Sequence, residues 1–406
     1  MINLSLWEFP LSFILAAATV CGTVICANYA DKYRILRFLS GRAASATLLT
    51  LLTILTAIEG TWKFMLFRST AFLILVFLTI FCLGLTIIKE FKSSKRPSFI
   101  LNHLGFFLVL YGGFFGAPDF SDSQMAVYKG TPSHTSYSQA GDIVPLPFDV
   151  SLDSFTIDYY DDGKSPKQYT SLLNIDGEIR KTSVNHPCRH KGYTIYQSGY
   201  DVDNQQYSII KFVRDPWLPL IFLGAVMMVA GALMSLGKTW RSKAFIPSVL
   251  ALAAVFCAIS LARIKFGTLM PALRSLWFIP HIVAYMLAYS LMAIALILCL
   301  YSLIGKKDTY GAGLKLFNTS SGLLLVGMMC GAFWAKAAWG DYWMWDAKEC
   351  WAAVTWMMTL IVTHIPCKNR KVMAGLVLLS FLAIQITWYG VNYLPASQYS
   401  MHTYNR

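Results

Sequence analysis

The chain has 406 residues, of which 56% are hydrophobic and only 14% charged, and its mean hydropathy is +0.51. Soluble domains carry about 25% charged residues, so the composition excludes an ordinary soluble protein and indicates an integral membrane protein. The net charge of +13 would point to nucleic acid on a soluble chain. Here the basic residues are expected in cytoplasmic loops, with lipid as the surrounding partner and no nucleic acid.

A helical span needs roughly 20 mostly apolar residues. Ten segments qualify, at about 11–30, 44–59, 69–88, 99–117, 216–236, 246–263, 279–304, 316–335, 351–366 and 372–392. The first lacks a basic flank and is about long enough to span, so no cleavable signal peptide is expected. Between the fourth and fifth lies a polar stretch, 118–215, with turn signals (DDGKSP, NIDGE) and alternating runs (FDVSLDSFTIDYY, YTIYQ, YSIIKFV). It reads as a small β-rich domain. The expected fold is an all-α polytopic membrane protein of about ten transmembrane helices with one inserted β-rich extracytoplasmic domain. Its parts are 1–117, four spans; 118–215, the β-rich domain; 216–245, a fifth span and linker; and 246–406, the remaining spans with a tryptophan-rich loop at 334–351.

Every second loop is basic. Lys32, Arg34, Arg37 and Arg42 lie in the first, Lys89, Lys92, Lys95 and Arg96 in the next, and Lys238, Arg241 and Lys243 in the third. Lys306, Lys307 and Lys315, then Lys368, Arg370 and Lys371, follow. Together they are half of the chain's 34 basic residues. The positive-inside rule puts these loops in the cytoplasm. The β-rich domain, the tryptophan-rich loop and both termini are then extracytoplasmic.

That topology sorts the histidines. His134, His186 and His190 fall in the β-rich domain, where surface or hydrogen-bonded roles are expected. Ionisable residues in or beside spans are functional candidates, and four histidines qualify. His103 and His364 lie toward the cytoplasmic side. His281 and His402 lie outside, flanking the tryptophan-rich loop. Two facing imidazoles are a common axial clamp for haem iron.

The loop itself reads WGDYWMWDAKECW from Trp339 to Trp351, and 334–356 holds six of the chain's twelve tryptophans. An interfacial aromatic belt accounts for some of them, but not for indoles interleaved with charges. A flat apolar porphyrin can stack on Trp339, Trp343, Trp345 and Trp351, and its anionic propionates suit Lys348, with Lys336 and Arg274 as further candidates. Asp341, Asp346 and Glu349 are suited to capping, orienting backbone or pairing with the basic residues; Asp346 is counted among the cofactor-binding residues on its place in the loop.

The stretch WGDYWMWDAKECWA resembles the long WGxxWxWDxKExWA signature of haem-handling proteins of cytochrome c maturation. Residues 246–406 resemble CcsA (ResC). LNHLGFFLVLYGG, PFDVSLDSFTIDYY and VNHPCRHKGYTIYQSGY resemble CcsB (ResB), with a short β-rich domain. Together they look like a fused CcsB–CcsA cytochrome c synthase of System II. The resemblance implies His281 and His402 as external haem ligands, and His103 and His364 as membrane ligands. Relatives continue into a further span after the position of His402, where four residues remain here.

The resemblance implies a holocytochrome c synthase, or haem lyase, in the bacterial cytoplasmic (inner) membrane. Haem b would enter at His103 and His364 and reach His281 and His402. There it would be presented to the CxxCH motif of apocytochrome c for thioether attachment. Nine cysteines are present and none forms a CxxC pair, so a thioredoxin-like thiol reductant is expected as a partner. Two other classes are open. One is a haem exporter or membrane haem-redox protein without ligation activity. The other is a haem-free scaffold or ion-coupled transporter, disfavoured because Glu59 is expected at a span end and the other acids in loops.

Overall fold

The computed structural model describes residues 7–93, 96–239, 268–305, 308–365 and 367–400. The sixth expected span, 246–263, and His402 lie outside these residues. The first half builds α1 (Leu11–Asn28), a short α2 (Arg34–Leu39), α3 (Arg42–Trp62), α4 (Thr70–Ser93) and α5 (Pro97–Gly116). Eight strands follow: β1 (Ser121–Tyr128), β2 (Ser133–Tyr137), β3 (Ile143–Tyr159), β4 (Pro166–Ile175), β5 (Glu178–Ser183), β6 (Cys188–His190), β7 (Tyr193–Tyr200) and β8 (Tyr207–Arg214). The second half holds α6 (Leu218–Thr239), α7 (Phe278–Ile304), α8 (Tyr310–Trp339), α9 (Ala347–His364) and α10 (Arg370–Trp388).

Eight described helices are long and apolar enough to cross a bilayer: α1, α3, α4, α5, α6, α7, α8 and α10. The expected count of about ten is therefore not reached within the described residues. The ninth expected span, 351–366, is α9, which opens four residues earlier and so carries Lys348 and Glu349 besides His364; these polar residues keep it outside the eight.

Helix pairing follows small residues. Where α5 meets α6, a Cβ added at Gly105 would stand 2.6 Å from the Gly224 carbonyl oxygen, and one at Gly116 would stand 2.6 Å from the Trp217 ring. Only glycine admits so close an approach, which membrane helices use in place of a hydrophobic driving force. Hydroxyls add cross-links: Ser321 to Thr359 at 2.6 Å joins α8 to α9, and Thr355 to Thr387 at 2.8 Å joins α9 to α10. The contacts run from α4 through α3, α9, α10, α7, α8, α6 and α5 back to α4, so α3 and α9 bring the two halves together on one side and α6 does so on the other.

The strands form one antiparallel sheet in the order β5-β4-β3-β2-β1-β8-β7-β6. It curls on itself like a barrel: the Thr182 hydroxyl of β5 donates to the Ile195 carbonyl of β7, and Ser171 of β4 reaches Gln197 and Ser208. Inside lie Val127, Phe148, Val150, Leu173, Ile175, Ile195, Ile210 and Phe212, the apolar members of the period-2 runs. The 17-residue β3 serves both β2 and β4, with a bulge between Leu152 and Ser154.

Asp119 ties the sheet-side helix ends together. It accepts from the Phe9 and Trp217 N–H groups at 2.6 and 2.7 Å and from the Ser12 hydroxyl at 2.8 Å. The opening of α1, the end of α5 and the opening of α6 therefore share one side. Two acids expected away from helix interiors are buried within helices. Glu59, 1% exposed, lies in the last turn of α3, and Glu90 lies in α4 rather than in a loop, held by Arg96 at 2.8 and 3.0 Å.

Candidate functional site

Two histidine sites can be followed. His103 on α5 and His364 at the end of α9 have ring centres 6.2 Å apart and planes inclined at 56°. Each Nδ1 lies near the carbonyl one helical turn back, His103 to Phe99 at 2.9 Å and His364 to Leu360 at 2.7 Å. A carbonyl only accepts, so in a neutral ring Nδ1 carries the hydrogen and Nε2 keeps its lone pair. The pair is thus two oriented nitrogen donors contributed by the two halves of the chain.

His281, in the first turn of α7, is held the same way, with Nδ1 2.8 Å from the Gly327 carbonyl on α8. Its ring centre is 5.9 Å from Trp334 and 4.9 Å from Tyr285. Gly331 makes this possible, since a Cβ there would lie 2.7 Å from His281 Nδ1. Gly327 and Gly331, in GMMCG, were missed by the sequence reading because the run passes as plain span. The small-x-x-x-small spacing was the signal.

The tryptophans divide between the halves. Trp334 and Trp339 have ring centres 5.2 Å apart with planes tilted at 47°, and the Trp334 N–H donates to the Ala272 carbonyl at 2.7 Å. Trp343, with Tyr342, packs on the large core of α6, α7, α8, α9 and α10. Trp345 packs instead on the core shared by α3, α4 and α9. Trp351, on α9, stands where a Cβ on Gly60 of α3 would come within 3.1 Å of its ring, and its N–H has no hydrogen-bond partner among the described residues.

The charged residues of the loop separate by role. Asp346 caps α9, accepting from the Glu349 N–H at 2.7 Å, while Glu349 accepts in return from the Met344 and Asp346 N–H groups. This is a capping box. Asp341 pairs with Lys211 of β8. Lys336 donates to the Gly340 carbonyl at 2.8 Å, and Arg274 to the Lys167 carbonyl at 3.2 Å. Lys348 makes no hydrogen bond or ion pair with a described residue and is half-buried beside the cap.

The β-rich domain lies against this region. A Cβ on Gly340 would touch Val213 and Tyr196 at 3.1 and 3.2 Å. Burial pushes the Tyr196 hydroxyl well above its ordinary range, with the Asp341 charge adding. Tyr160 and Asn185 donate to the Leu269 and Pro271 carbonyls, at 3.0 and 2.9 Å, on the segment leading to His281. His134 and His190 pair with Asp149 and Asp176. No group of three or more His, Cys, Asp or Glu among the described residues could hold a metal ion.

By sequence, both segments are similar to proteins of cytochrome c biogenesis. Residues 93–209 match the ResB-like family, and residues 217–397 match the Cytochrome C assembly protein family. The cytochrome c biogenesis protein CcsA of Guillardia theta is 30% identical over 174 residues, covering 34% of this chain and 57% of that protein. CcsA of Chlamydomonas reinhardtii is 30% identical over 154 residues, covering 34% and 44%, and that of Adiantum capillus-veneris 28% over 190, covering 34% and 59%. The chain spans about half the length of these relatives. It is a membrane protein whose matched segments are those of cytochrome c biogenesis families. More particularly, it joins a ResB-like segment and a cytochrome c assembly segment in one polypeptide, and in this it is similar to the fused CcsB–CcsA type.

Proposed function

We propose that the chain takes haem b as cargo, conveys it across the cytoplasmic membrane of a bacterium, and presents it outside to the CxxCH motif of apocytochrome c. The observation that carries this is the pair His103–His364, 6.2 Å between ring centres. Metal–imidazole bonds are about 2 Å, so two imidazoles on opposite sides of one iron have ring centres about 6 Å apart. A bare ion such as zinc asks for three or four protein ligands, and no cluster of three is present among the described residues. A pair of donors suits an iron that brings its other ligands in a porphyrin.

On this reading His281 and His402 are the external ligands, and Trp339, Trp343, Trp345 and Trp351 offer faces to the porphyrin. Lys348, which makes no hydrogen bond or ion pair with a described residue, suits a propionate; Asp346 acts through the backbone it caps. Attachment needs no acid or nucleophile from this chain. Each substrate thiol adds S and H across a vinyl group, which leaves no net redox change. The chain's part is to hold the reactants in place, and proximity is worth several kcal/mol (~7 or more when well oriented). The substrate thiols must arrive reduced, which suits a thioredoxin-like donor. This makes the protein a haem lyase, with its β-rich domain and loop extracytoplasmic.

The test is the dithionite-reduced absorption spectrum of purified protein, wild type beside His281→Ala, His402→Ala and His103→Ala. A bis-histidine b-type spectrum in wild type, changed in each variant, is expected. Colourless wild type from haem-replete cells would remove the reading. Co-expression with an apocytochrome separates a lyase, which yields covalent haem, from an exporter, which does not.

A further inference from the structure

We infer that the first half of the chain is the positioning frame of the tryptophan-rich loop: Lys211 holds the loop at Asp341 and Lys63 with Phe67 holds it at Trp345, so that the two holds set where the indoles stand relative to His281. The inference rests on the haem reading for what the loop serves, and on the geometry for the frame itself.

Residues 341–346 form neither helix nor strand, so no ladder of backbone hydrogen bonds fixes them. Something else must. At one end the Lys211 side chain, 6% exposed, lies between Asp122 of β1 at 3.4 Å and Asp341 of the loop. A buried ion pair adds little stability over an apolar pair of the same size, since desolvation offsets the attraction. What it supplies is a directional link, and here the link runs from the β-rich domain to the first residue of the segment.

At the other end Trp345 has a positive φ of 57°. A bulky side chain keeps that left-handed conformation only where its surroundings over-determine it. They do so from three sides. The Lys63 ammonium donates to the Trp345 carbonyl at 2.7 Å. The Phe67 ring lies parallel to the indole at 5.2 Å, and Phe72 meets it edge-on at 5.3 Å. Lys63 and Phe67 belong to the α3–α4 connection and Phe72 to the first turn of α4; the turn of the connection is closed by the Leu66 N–H donating to Glu59 at 2.8 Å. Between the two holds Trp343 faces the opposite half of the molecule. Lys211, Lys63 and Phe67 are positioning residues, acting on the site through Asp341 and Trp345.

The experiment uses the full chain with Asp341→Asn and Phe67→Leu, singly and combined, and Phe67→Tyr as the conservative variant. Amide hydrogen exchange reads residues 340–346, and covalent haem on a co-expressed apocytochrome reads function. Exchange in 340–346 is expected to quicken tenfold or more in each single variant, with α7 and α10 unchanged. Haem attachment is expected to fall several-fold, and Phe67→Tyr to restore both. Unchanged exchange in both single variants, or quickened exchange with wild-type attachment, overturns the proposal. If Asp341→Asn fails to accumulate, Phe67→Leu decides alone. A colourless wild type would defeat the haem reading, whereas the exchange measurement involves no haem and still decides the frame.

Discussion

Gly331 shows how a residue without a side chain shapes chemistry. Its bare Cα leaves the space that the His281 ring fills, and a Cβ would sit 2.7 Å from Nδ1. Gly331→Ala must push the imidazole off the Gly327 carbonyl, which releases the tautomer that this contact fixes. Overpacking of this size costs about 1–3 kcal/mol. The variant is expected to fold with a lowered Tm, and its haem spectrum should resemble that of His281→Ala. A wild-type spectrum from Gly331→Ala would show that the ring is not held through this contact. At this scale the sequence was legible where chemistry is rare: a histidine or lysine in an apolar span stands out. It was not legible where the device is a missing methyl group, because Gly327 and Gly331 look like any small residues of a span. Nor could it give the partner of Asp341, a lysine 130 positions away in the chain.

Helix α9 depends on its first turn. Asp346 and Glu349 satisfy each other's backbone N–H groups, and the helix they start carries Trp351 near one end and His364 at the other. Replacing an N-cap aspartate by alanine costs about 1 kcal/mol, while asparagine caps about as well. Asp346→Ala is therefore expected to lower the Tm by a few degrees and to weaken haem retention, and Asp346→Asn to do neither. Equal losses in both variants would mean that the charge of Asp346, not its capping oxygen, is what matters. The elements were largely readable from hydropathy and period: runs of apolar residues gave the helices, and alternation gave β3, β7 and β8. Their ends were less so. Thermodynamics of a span is set by the bilayer, but the end of a helix is set by caps, and the cap of α9 moved its start to Ala347, four residues before the apolar run suggested.

At the scale of the whole molecule, the pair His103–His364 takes one member from the ResB-like segment and the other from the cytochrome c assembly segment. Neither half holds the pair alone. His103→Ala and His364→Ala should therefore show the same loss of membrane-site haem, and the double variant should lose no more than either single, the non-additivity of residues acting as a unit. Losses that simply add would show two independent sites. The loop charges had already grouped His103 with His364, the pair that the structure brings together. What charge could not supply was distance, because which helices touch is decided by glycines and hydroxyls spread along α5, α6 and α8.

The shared pair also says what joining the two segments in one chain accomplishes. Were they separate polypeptides, the histidine pair would form only as often as they met, and dilution would dissolve it. Tethered, the two imidazoles belong to one chain, and their meeting does not depend on the abundance of the protein. The fused chain should therefore keep its haem on serial dilution in detergent, while separately expressed halves lose it as the concentration falls.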